Sequence, residues 1–412
     1  MVRHLPIFII LLILQPVSSV LAQVDDQKEA TQFDDDIRFP ALPYYSYGSG
    51  LGLTTPDSTF RFNIRFRMQN RATFTEHKDR DDTIEAEIRR LRLRFDGFVA
   101  DPRFLYAIQL SFSASDVGKL TEGDKINIVR DAVFFFQPND NWSLGFGQTK
   151  LPGNRQLINS SGALQLTDRT INNATFSIDR DVGLFIYHLK EDVERTSYNI
   201  KTAISTGNGP NRTDNSDTRL AYTGRMEFFP FGAFQKNGMF FEGDLVREPS
   251  PKVLLSGTYH FNKGAQRERG QLGNDLFELR DLTSILLDGM LKYRGWAFQT
   301  AYMTRLVDNP FTVNPEDPDD IRFVFAGDGF DLQLSYLLPF DVDLIGRFSR
   351  QTPKNSLREV IPKADQFSFG ITKYVWEHAL KLQTELTYNN LTFTDGINRD
   401  NWYFRFQVEI GI

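Results

Sequence analysis

Each of two short segments of the sequence contains three arginines at positions of the same parity. They are Arg61, Arg65, Arg67, Arg90, Arg92 and Arg94. Side chains of equal charge repel one another unless an anion lies among them, and a guanidinium group can bind a carboxylate or a phosphate through two hydrogen bonds. The pattern therefore indicates a surface that attracts anions. A second interpretation stays open, in which these arginines pair with acidic side chains across the same surface and only balance charge.

Residue types that catalyse reactions or bind metals are sparse. The sequence has no Cys, which excludes disulfides, thiolate metal sites, iron–sulfur clusters and Cys nucleophiles. The histidines after residue 22 are His77, His188, His260 and His378, and none of them belongs to a recognisable catalytic or metal-binding motif. We therefore predict no enzymatic activity, no catalytic residue, no bound metal and no cofactor.

The composition narrows the class of protein. Of the 412 residues, 24% are charged, which excludes a membrane protein built from many apolar helices. The 41% of hydrophobic residues exclude a disordered chain. The formal net charge of -6 argues against a nucleic-acid partner. The 37 Phe residues require a structure that accommodates many aromatic side chains without one very large core.

The first 22 residues have the features of a secretory signal peptide. Arg3 and His4 precede the apolar run 7–14, which is too short to span a bilayer, and a small-residue cleavage site precedes Gln23. Residues 23–57 are acidic and rich in turn-forming residues. We expect them to form a periplasmic N-terminal segment in which Gly48–Gly52 is a linker. An exported chain without a further long apolar stretch is either soluble or a β-barrel.

From residue 58 onward, apolar and polar residues alternate in a series of short runs. In the first run, Phe60, Phe62 and Ile64 are each followed by a polar residue. A period of two is typical of a strand with one apolar and one polar face. The runs lie near residues 59–69, 90–96, 103–114, 129–137, 141–149, 181–189, 196–205, 218–229, 252–261, 282–293, 296–306, 329–338, 341–350, 365–374, 379–389 and 401–412. We therefore predict an all-β fold, a transmembrane antiparallel β-barrel of about 16 strands over residues 58–412.

Short and long connections alternate between these runs, and this alternation indicates a membrane. Short turns on one rim and long loops on the other are typical of outer-membrane barrels with both termini in the periplasm. Only the connection 230–251 is long where a short one is expected. The pattern predicts the outer membrane of a Gram-negative bacterium, with outer-membrane lipid and the barrel-assembly machinery as partners. A soluble secreted β-protein is the alternative.

Several segments match a family that is known from other proteins. They are Arg89–Gly97, Leu144–Pro152, Ser160–Ser161, Asp168–Thr170, Arg180–Gly183, Phe229–Gly232 and Pro249–Lys252. Together they resemble the phosphate-selective porin O and P family over residues 50–412. The resemblance implies a sixteen-stranded barrel, usually a homotrimer, whose third long loop folds into a lumen that carries an arginine ladder and a lysine cluster. It also accounts for the long connection 230–251.

The third long connection, residues 150–180, is the segment that we expect to narrow the lumen. It is polar and turn-rich, yet Leu157, Ile158, Leu164, Leu166 and Ile171 are suited to anchor it inside the barrel. An extracellular flap that contacts a neighbouring subunit is the alternative.

We assign the anion pathway to the six arginines together with Lys150, Arg155 and Arg169. The connection 150–180 has no lysine cluster, so the resemblance supports a porin better than it supports selectivity for phosphate.

The sequence therefore favours an outer-membrane porin for the passive diffusion of small anionic solutes, phosphate or a similar anion. Two other functions stay open. One is a structural or adhesive barrel whose lumen is plugged by loops, and the other is a barrel hydrolase.

Overall fold

The computed structural model describes residues 50–78, 80–117, 127–212, 218–396 and 398–412. The predicted signal peptide, residues 1–22, and most of the predicted acidic segment, residues 23–57, lie outside the described residues. Within the described ranges, no helix is both long and apolar enough to cross a membrane.

Sixteen strands form a closed antiparallel barrel. Each of these strands pairs with the next one along the barrel, and the last strand pairs with the first, with Ile410 opposite Met68. The strands of the structure are β1 (Leu51–Thr54), β2 (Phe60–His77), β3 (Thr83–Val99), β4 (Asp101–Ser111), β5 (Val129–Asn139), β6 (Trp142–Lys150), β7 (Arg180–Lys190), β8 (Ser197–Ser205), β9 (Ala221–Phe229), β10 (Lys252–Arg267), β11 (Asp275–Tyr293), β12 (Trp296–Leu306), β13 (Phe311–Val313), β14 (Ile321–Phe323), β15 (Gly327–Leu338), β16 (Val342–Pro353), β17 (Lys363–Trp376), β18 (Leu380–Thr392) and β19 (Asn398–Gly411). The barrel consists of β2 to β12 and β15 to β19, and it confirms the predicted architecture.

Short helices occur only in connections, as far as the described residues show. The α-helical ones are Ala114–Val117, Arg155–Ile158 and Ile171–Phe176. The 3₁₀ segments are Ser161–Ala163, Gln235–Phe240 and Asn355–Leu357. The strands β13 and β14 form a small separate hairpin in the connection between β12 and β15.

The two faces of the barrel wall differ as the alternation predicts. Outward side chains such as Phe146, Leu184 and Phe369 are exposed, whereas Gln69 and Asp96 inside the lumen are buried. The apolar outer face suits contact with lipid, and the polar inner face suits contact with water.

Two hairpins are longer than the sequence predicts. The predicted runs 59–69 and 90–96 are too short, because β2 continues to His77 and β3 already begins at Thr83. The predicted runs 252–261 and 282–293 are too short in the same way, since residues 262–281 contain the ends of β10 and β11. Above the apolar band both faces of a strand meet water, so the alternation that marks a strand disappears while the backbone pairing continues.

The predicted linker Gly48–Gly52 contains the start of a strand. β1 pairs with residues 61–64 of β2, with Leu51 opposite Ile64 and Thr54 opposite Arg61. β19 leaves this edge of β2 unpaired because its register with β2 ends at Gly411 opposite Arg67. β1 therefore extends the sheet past the C-terminal residue and satisfies backbone groups at the seam of the barrel.

The third long connection folds into the lumen. We name residues 151–179 the inner loop. Gln165 donates to Asp343 at 2.5 Å, and the hydroxyl of Thr167 donates to Glu385 at 2.6 Å, so the loop reaches β16 and β18 on the opposite wall. Its predicted apolar anchors are buried except for Ile171, which is half-buried. The inward prediction is confirmed, and the alternative of an extracellular flap is wrong.

The exceptional connection 230–251 also enters the barrel, from the end that carries the short turns. We name it the periplasmic insert. Phe234, Met239 and Phe240 form an apolar cluster with Ile158 of the inner loop and with Met290 of β11. The two inward segments therefore share one apolar core, which fills the part of the lumen next to β9–β11 and leaves space beside β2 and β3.

Candidate functional site

The inward residues of β2 and β3 place most of the predicted arginines on one wall. Arg65 lies opposite Arg94 in the register of the two strands, and Arg67 lies opposite Arg92. Side chains that are directly opposite in an antiparallel pair project to the same face. These four arginines therefore face the lumen as one surface, which we name the basic wall.

Two register shifts bring further arginines to this surface. Gln69 pairs with Arg90 and Asn70 pairs with Ile88, so Arg89 is an extra residue in β3. Similarly, Gln109 pairs with Asp131 and Leu110 pairs with Val129, which leaves Arg130 as an extra residue in β5. A β-bulge interrupts the strict alternation of side chains and can redirect one of them. Strict alternation excludes Arg89 and Arg130 from the lumen, yet both line it.

The basic wall opens into a cavity of about 350 Å³, which we name the upper cavity because it lies toward the long loops. Its lining contains eight basic side chains and three carboxylates. The basic residues are Arg89, Arg90, Arg92, Arg130, Lys150, Arg169, Arg180 and Arg405, and the carboxylates are Asp116, Asp168 and Asp179. The formal charge of this lining is strongly positive even though the whole chain is acidic.

A smaller cavity of about 60 Å³ lies next to it, toward the short turns, and we name it the lower cavity. Its lining includes Arg65, Arg67, Arg92, Arg94, Lys150 and Arg180, with the carboxylate of Glu409. Arg92, Lys150 and Arg180 line both cavities. These three side chains therefore lie between the two basic compartments, at the section that we expect to be the narrow one.

The inner loop is held against this narrow section by hydrogen bonds from basic groups. Arg67 donates to the hydroxyls of Ser160 and Ser161, each at 2.7 Å. Lys150 donates to the backbone carbonyl of Leu157 at 2.6 Å, and to those of Ile158 and Asn159 at 3.1 Å. The loop thus turns carbonyl and hydroxyl oxygens toward the cations, and this fixes the width of the passage without cancelling the charge.

The carboxylates of the upper cavity are ionised because arginines surround them. Burial by itself would raise the pKa of Asp168, but Arg90, Arg89 and Arg71 hold that pKa well below its ordinary value. Asp116 shows the same balance, since Arg92 and Arg130 outweigh burial and lower its pKa. The pKa of Asp179 is lowered mainly by Arg180 against the effect of burial.

The nine predicted site residues do not all reach the passage. Arg65, Arg67, Arg90, Arg92, Arg94, Lys150 and Arg169 line one or both cavities. Arg61 lines neither, and its Nε lies 3.4 Å from Asn63 Oδ1 near the periplasmic end of β2. Arg155 belongs to the inner loop but lines neither of these two cavities, and its guanidinium group lies 3.2 Å from Glu227. We therefore remove Arg61 and Arg155 from the candidate pathway.

Several lining residues are absent from the predicted set. Arg71 is not in either lining, but it pairs with the lining residue Asp168 at 3.1 Å. It is missing because the alternation indicates an end of the first strand near residue 69, although β2 continues past it. Arg89 and Arg130 depend on bulges, for which the sequence carries no separate signal. Arg405 follows the inward parity of β19 and Arg180 begins β7, so the sequence alone could have included both.

A second charged group lies on the opposite side of the inner loop, and we name it the balanced cluster. Glu227 lies 2.9 Å from Lys201, 2.9 Å from Arg225 and 3.2 Å from Arg155. Arg225 also pairs with Asp288 at 2.9 Å and donates to the backbone carbonyl of Gly153 at 2.7 Å. All five side chains are buried. Here every cation has a carboxylate partner, so that the five side chains carry a formal charge of only +1, and the inner loop covers them.

The part of the chain that forms this site also matches a known family. Residues 62–237 match the model of the family described as phosphate-selective porin O and P. Over that segment the chain is similar to the porin O and P family. The matched residues run from β2 into the periplasmic insert, so they contain the basic wall and the inner loop. Among curated proteins, no sequence match is found.

Solved structures confirm that this chain has a known barrel fold. The outer membrane channel DcaP of Acinetobacter baumannii aligns with a TM-score of 0.55 and 13% identity, over 88% of this chain and 99% of that one. An anion-selective porin from Comamonas acidovorans aligns with a TM-score of 0.53 and 9% identity, over 85% of this chain and 99% of that one. OmpF of Salmonella typhi, in complex with daunomycin, aligns with a TM-score of 0.51 and 12% identity, over 87% of this chain and 100% of that one.

The family match and the closed barrel together point to the bacterial outer membrane. Among the described residues, no group of three or more His, Asp or Glu side chains could hold a metal ion.

Proposed function

We propose that this protein is an outer-membrane porin through which small anions diffuse passively, by way of the upper and lower cavities. The observation that carries the proposal is the excess of eight basic side chains over three carboxylates in the upper cavity. Arg92, Lys150 and Arg180 continue the positive lining into the lower cavity. Pores lined by arginine and lysine favour anions because the fixed charges replace part of the hydration that an ion loses on entry.

The chemical class of the solute is a small anion, phosphate or a similar one. The geometry of a guanidinium group suits phosphate and carboxylate equally well, because both anions offer it two oxygens. Lys150 at the end of β6 and Arg169 of the inner loop line the upper cavity, and no second lysine lies in this lining. The arrangement therefore supports anion preference without favouring phosphate over other oxyanions.

The proposal also includes the export of the chain and the assembly of the barrel. We infer that residues 1–22 are removed as a signal peptide, that residues 23–57 enter the periplasm, and that residues 58–412 insert with the barrel-assembly machinery. Within the acidic segment, β1 then joins the barrel seam. The family resemblance also supports a homotrimer in outer-membrane lipid.

The selectivity test reverses charge at three partly exposed arginines of the upper cavity. Arg89→Glu, Arg130→Glu and Arg405→Glu are combined in one variant, which changes the formal charge of the lining by six units. The reversal potential of purified protein in a planar bilayer, measured across a KCl gradient, should indicate anion preference in the wild type and change sign in the variant. The change should be largest in dilute salt, where screening is weakest.

The matched control carries the same three charge reversals outside the lumen. Arg103, Arg195 and Arg294 are exposed residues near short turns, and their change to Glu should leave the selectivity close to that of the wild type. Retention of barrel mobility in unheated gels checks that each variant is folded. A wild type that prefers cations would refute the proposal. An absence of conductance steps from folded protein would favour a plugged structural barrel, and hydrolysis of lipid or peptide substrates would favour the hydrolase.

A further inference from the structure

Asp168 lies where three guanidinium groups converge. Its carboxylate is 2.8 Å from Arg89, 2.9 Å from Arg90 and 3.1 Å from Arg71. Arg89 and Arg90 are consecutive, and they reach the same carboxylate because the β-bulge at Arg89 turns both side chains inward. Three guanidinium groups around one carboxylate form an anion-binding site, and in this structure a side chain of the chain itself occupies it.

The site is accessible from the passage. The side chain of Asp168 retains 21% exposure, and Arg89 retains 19%. Asp168, Arg89 and Arg90 all line the upper cavity. An anion that enters this cavity can therefore approach two of the three guanidinium groups that bind Asp168, those of Arg89 and Arg90.

The backbone at Asp168 is fixed by contacts that do not involve its carboxylate. Arg347 donates to the backbone carbonyl of Asp168 at 2.9 Å. On one side, the hydroxyl of Thr167 donates to Glu385 at 2.6 Å, and on the other, that of Thr170 donates to Asp331 at 2.9 Å. The carboxylate is therefore not required to hold the inner loop in place.

We propose that Asp168 acts as a built-in competitor for the anions that pass through the upper cavity. Its carboxylate occupies the site formed by Arg71, Arg89 and Arg90, and a permeating anion binds there only by displacing it. The site consequently attracts anions but holds each of them weakly, as rapid conduction requires. This inference rests on the proposed function, because it concerns how the same pathway binds and releases its solute.

The test removes the competing charge and keeps the shape of the side chain. In Asp168→Asn, an amide oxygen remains to accept the hydrogen bond that the backbone N–H of Arg169 now donates to the carboxylate at 3.0 Å. Chloride current through the channel is measured in planar bilayers while sulfate is added as a competing divalent anion. We expect the sulfate concentration that halves the current to fall by about tenfold, because a bound oxyanion gains charge-assisted hydrogen bonds that Asp168 now makes.

Asp179→Asn is the matched control. Asp179 lines the same cavity and pairs with Arg180 at 3.2 Å, so its removal changes the net charge of the cavity by the same amount. A general field effect would lower the half-blocking sulfate concentration equally in both variants. The proposal requires a clearly larger decrease in Asp168→Asn.

The outcomes separate this inference from the proposed function. If the wild type prefers anions and the two variants respond equally to sulfate, the competitor role is refuted and the porin proposal stands. If the wild type prefers cations, the porin proposal itself fails. If Asp168→Asn admits larger neutral polymers than the wild type, the carboxylate holds the inner loop, and the competitor role is refuted on that ground.

Discussion

The basic wall and the balanced cluster contain the same residue types but differ in how their charges are arranged. In the balanced cluster, Glu227 contacts three cations and Asp288 contacts one of them, so each buried charge has an opposite partner. In the upper cavity, eight cations meet three carboxylates around open space. The position of an arginine on a polar strand face therefore does not determine whether its charge is paired or lines open space.

The position of the inner loop accounts for the difference. The loop covers the balanced cluster, where an unpaired charge would carry a large desolvation cost. It leaves the basic wall open to the cavity, where water and mobile anions can solvate an excess of positive charge. The attraction of anions by the basic wall stays a prediction, whereas the balanced cluster shows that other inward cations pair with carboxylates.

The largest effect should come from breaking the balanced cluster. In Glu227→Gln, Lys201, Arg155 and Arg225 lose their shared carboxylate inside a sealed region. We expect the free energy of unfolding to fall by about 3–5 kcal/mol. Urea titration followed by the shift between folded and unfolded gel mobility measures this change. Asp116→Asn in the lining of the upper cavity, next to Arg92 of the basic wall, is the control. A comparable loss of stability there would contradict the distinction between the two regions.

Removal of the inner loop should merge the two regions. A variant that lacks residues 153–172 loses the segment that separates the cavities from the balanced cluster, so its single-channel conductance should exceed that of the wild type. Deletion of residues 315–319, in the hairpin of β13 and β14, is the control, because it shortens a different long connection and leaves the inner loop in place. Unchanged conductance in the first variant would place the narrow section elsewhere, with the periplasmic insert as the next candidate.

Neutralisation of one arginine in each region should separate selectivity from stability. Arg92 lines both cavities, and its change to Gln should lower the preference for anions by about 1 kcal/mol, the value of a unit charge several ångströms from an ion. Arg225→Gln should instead destabilise the fold and leave the reversal potential of the folded protein almost unchanged. A selectivity change in Arg225→Gln that equals the change in Arg92→Gln would show that the balanced cluster also faces the pathway.

The smallest effect concerns pH. The pKa values of Asp116, Asp168 and Asp179 all lie below the ordinary value of an aspartate, because arginines stabilise the ionised forms. These groups stay negative as the pH falls from about 7 to about 5, so they should not increase the anion preference in that range. Burial, together with Lys381 and Lys292, lowers the pKa of His378 well below its ordinary value, so His378 stays neutral there as well. Reversal potentials recorded at both pH values check this expectation, and a marked rise in anion preference would mean that one carboxylate becomes protonated.

The sequence by itself determined the barrel. The period of two identified every barrel strand, and the alternation of short and long connections predicted their antiparallel order. The parity of β2 and β3 also placed Arg65, Arg67, Arg92 and Arg94 on the inner face. These features are local, because each depends only on which residues lie two positions apart and on where the turns fall.

The tertiary structure decided which inward charges are compensated and which line open space. Arg155 and Lys150 lie close together in the sequence, yet the inner loop seals one against Glu227 and places the other between the two cavities. Arg89 and Arg130 face the upper cavity only because a residue is added to each strand at a bulge. Charge compensation depends on contacts between residues far apart in the chain. Strand alternation does not specify these contacts, because it fixes the face of a side chain but not its partner across the lumen.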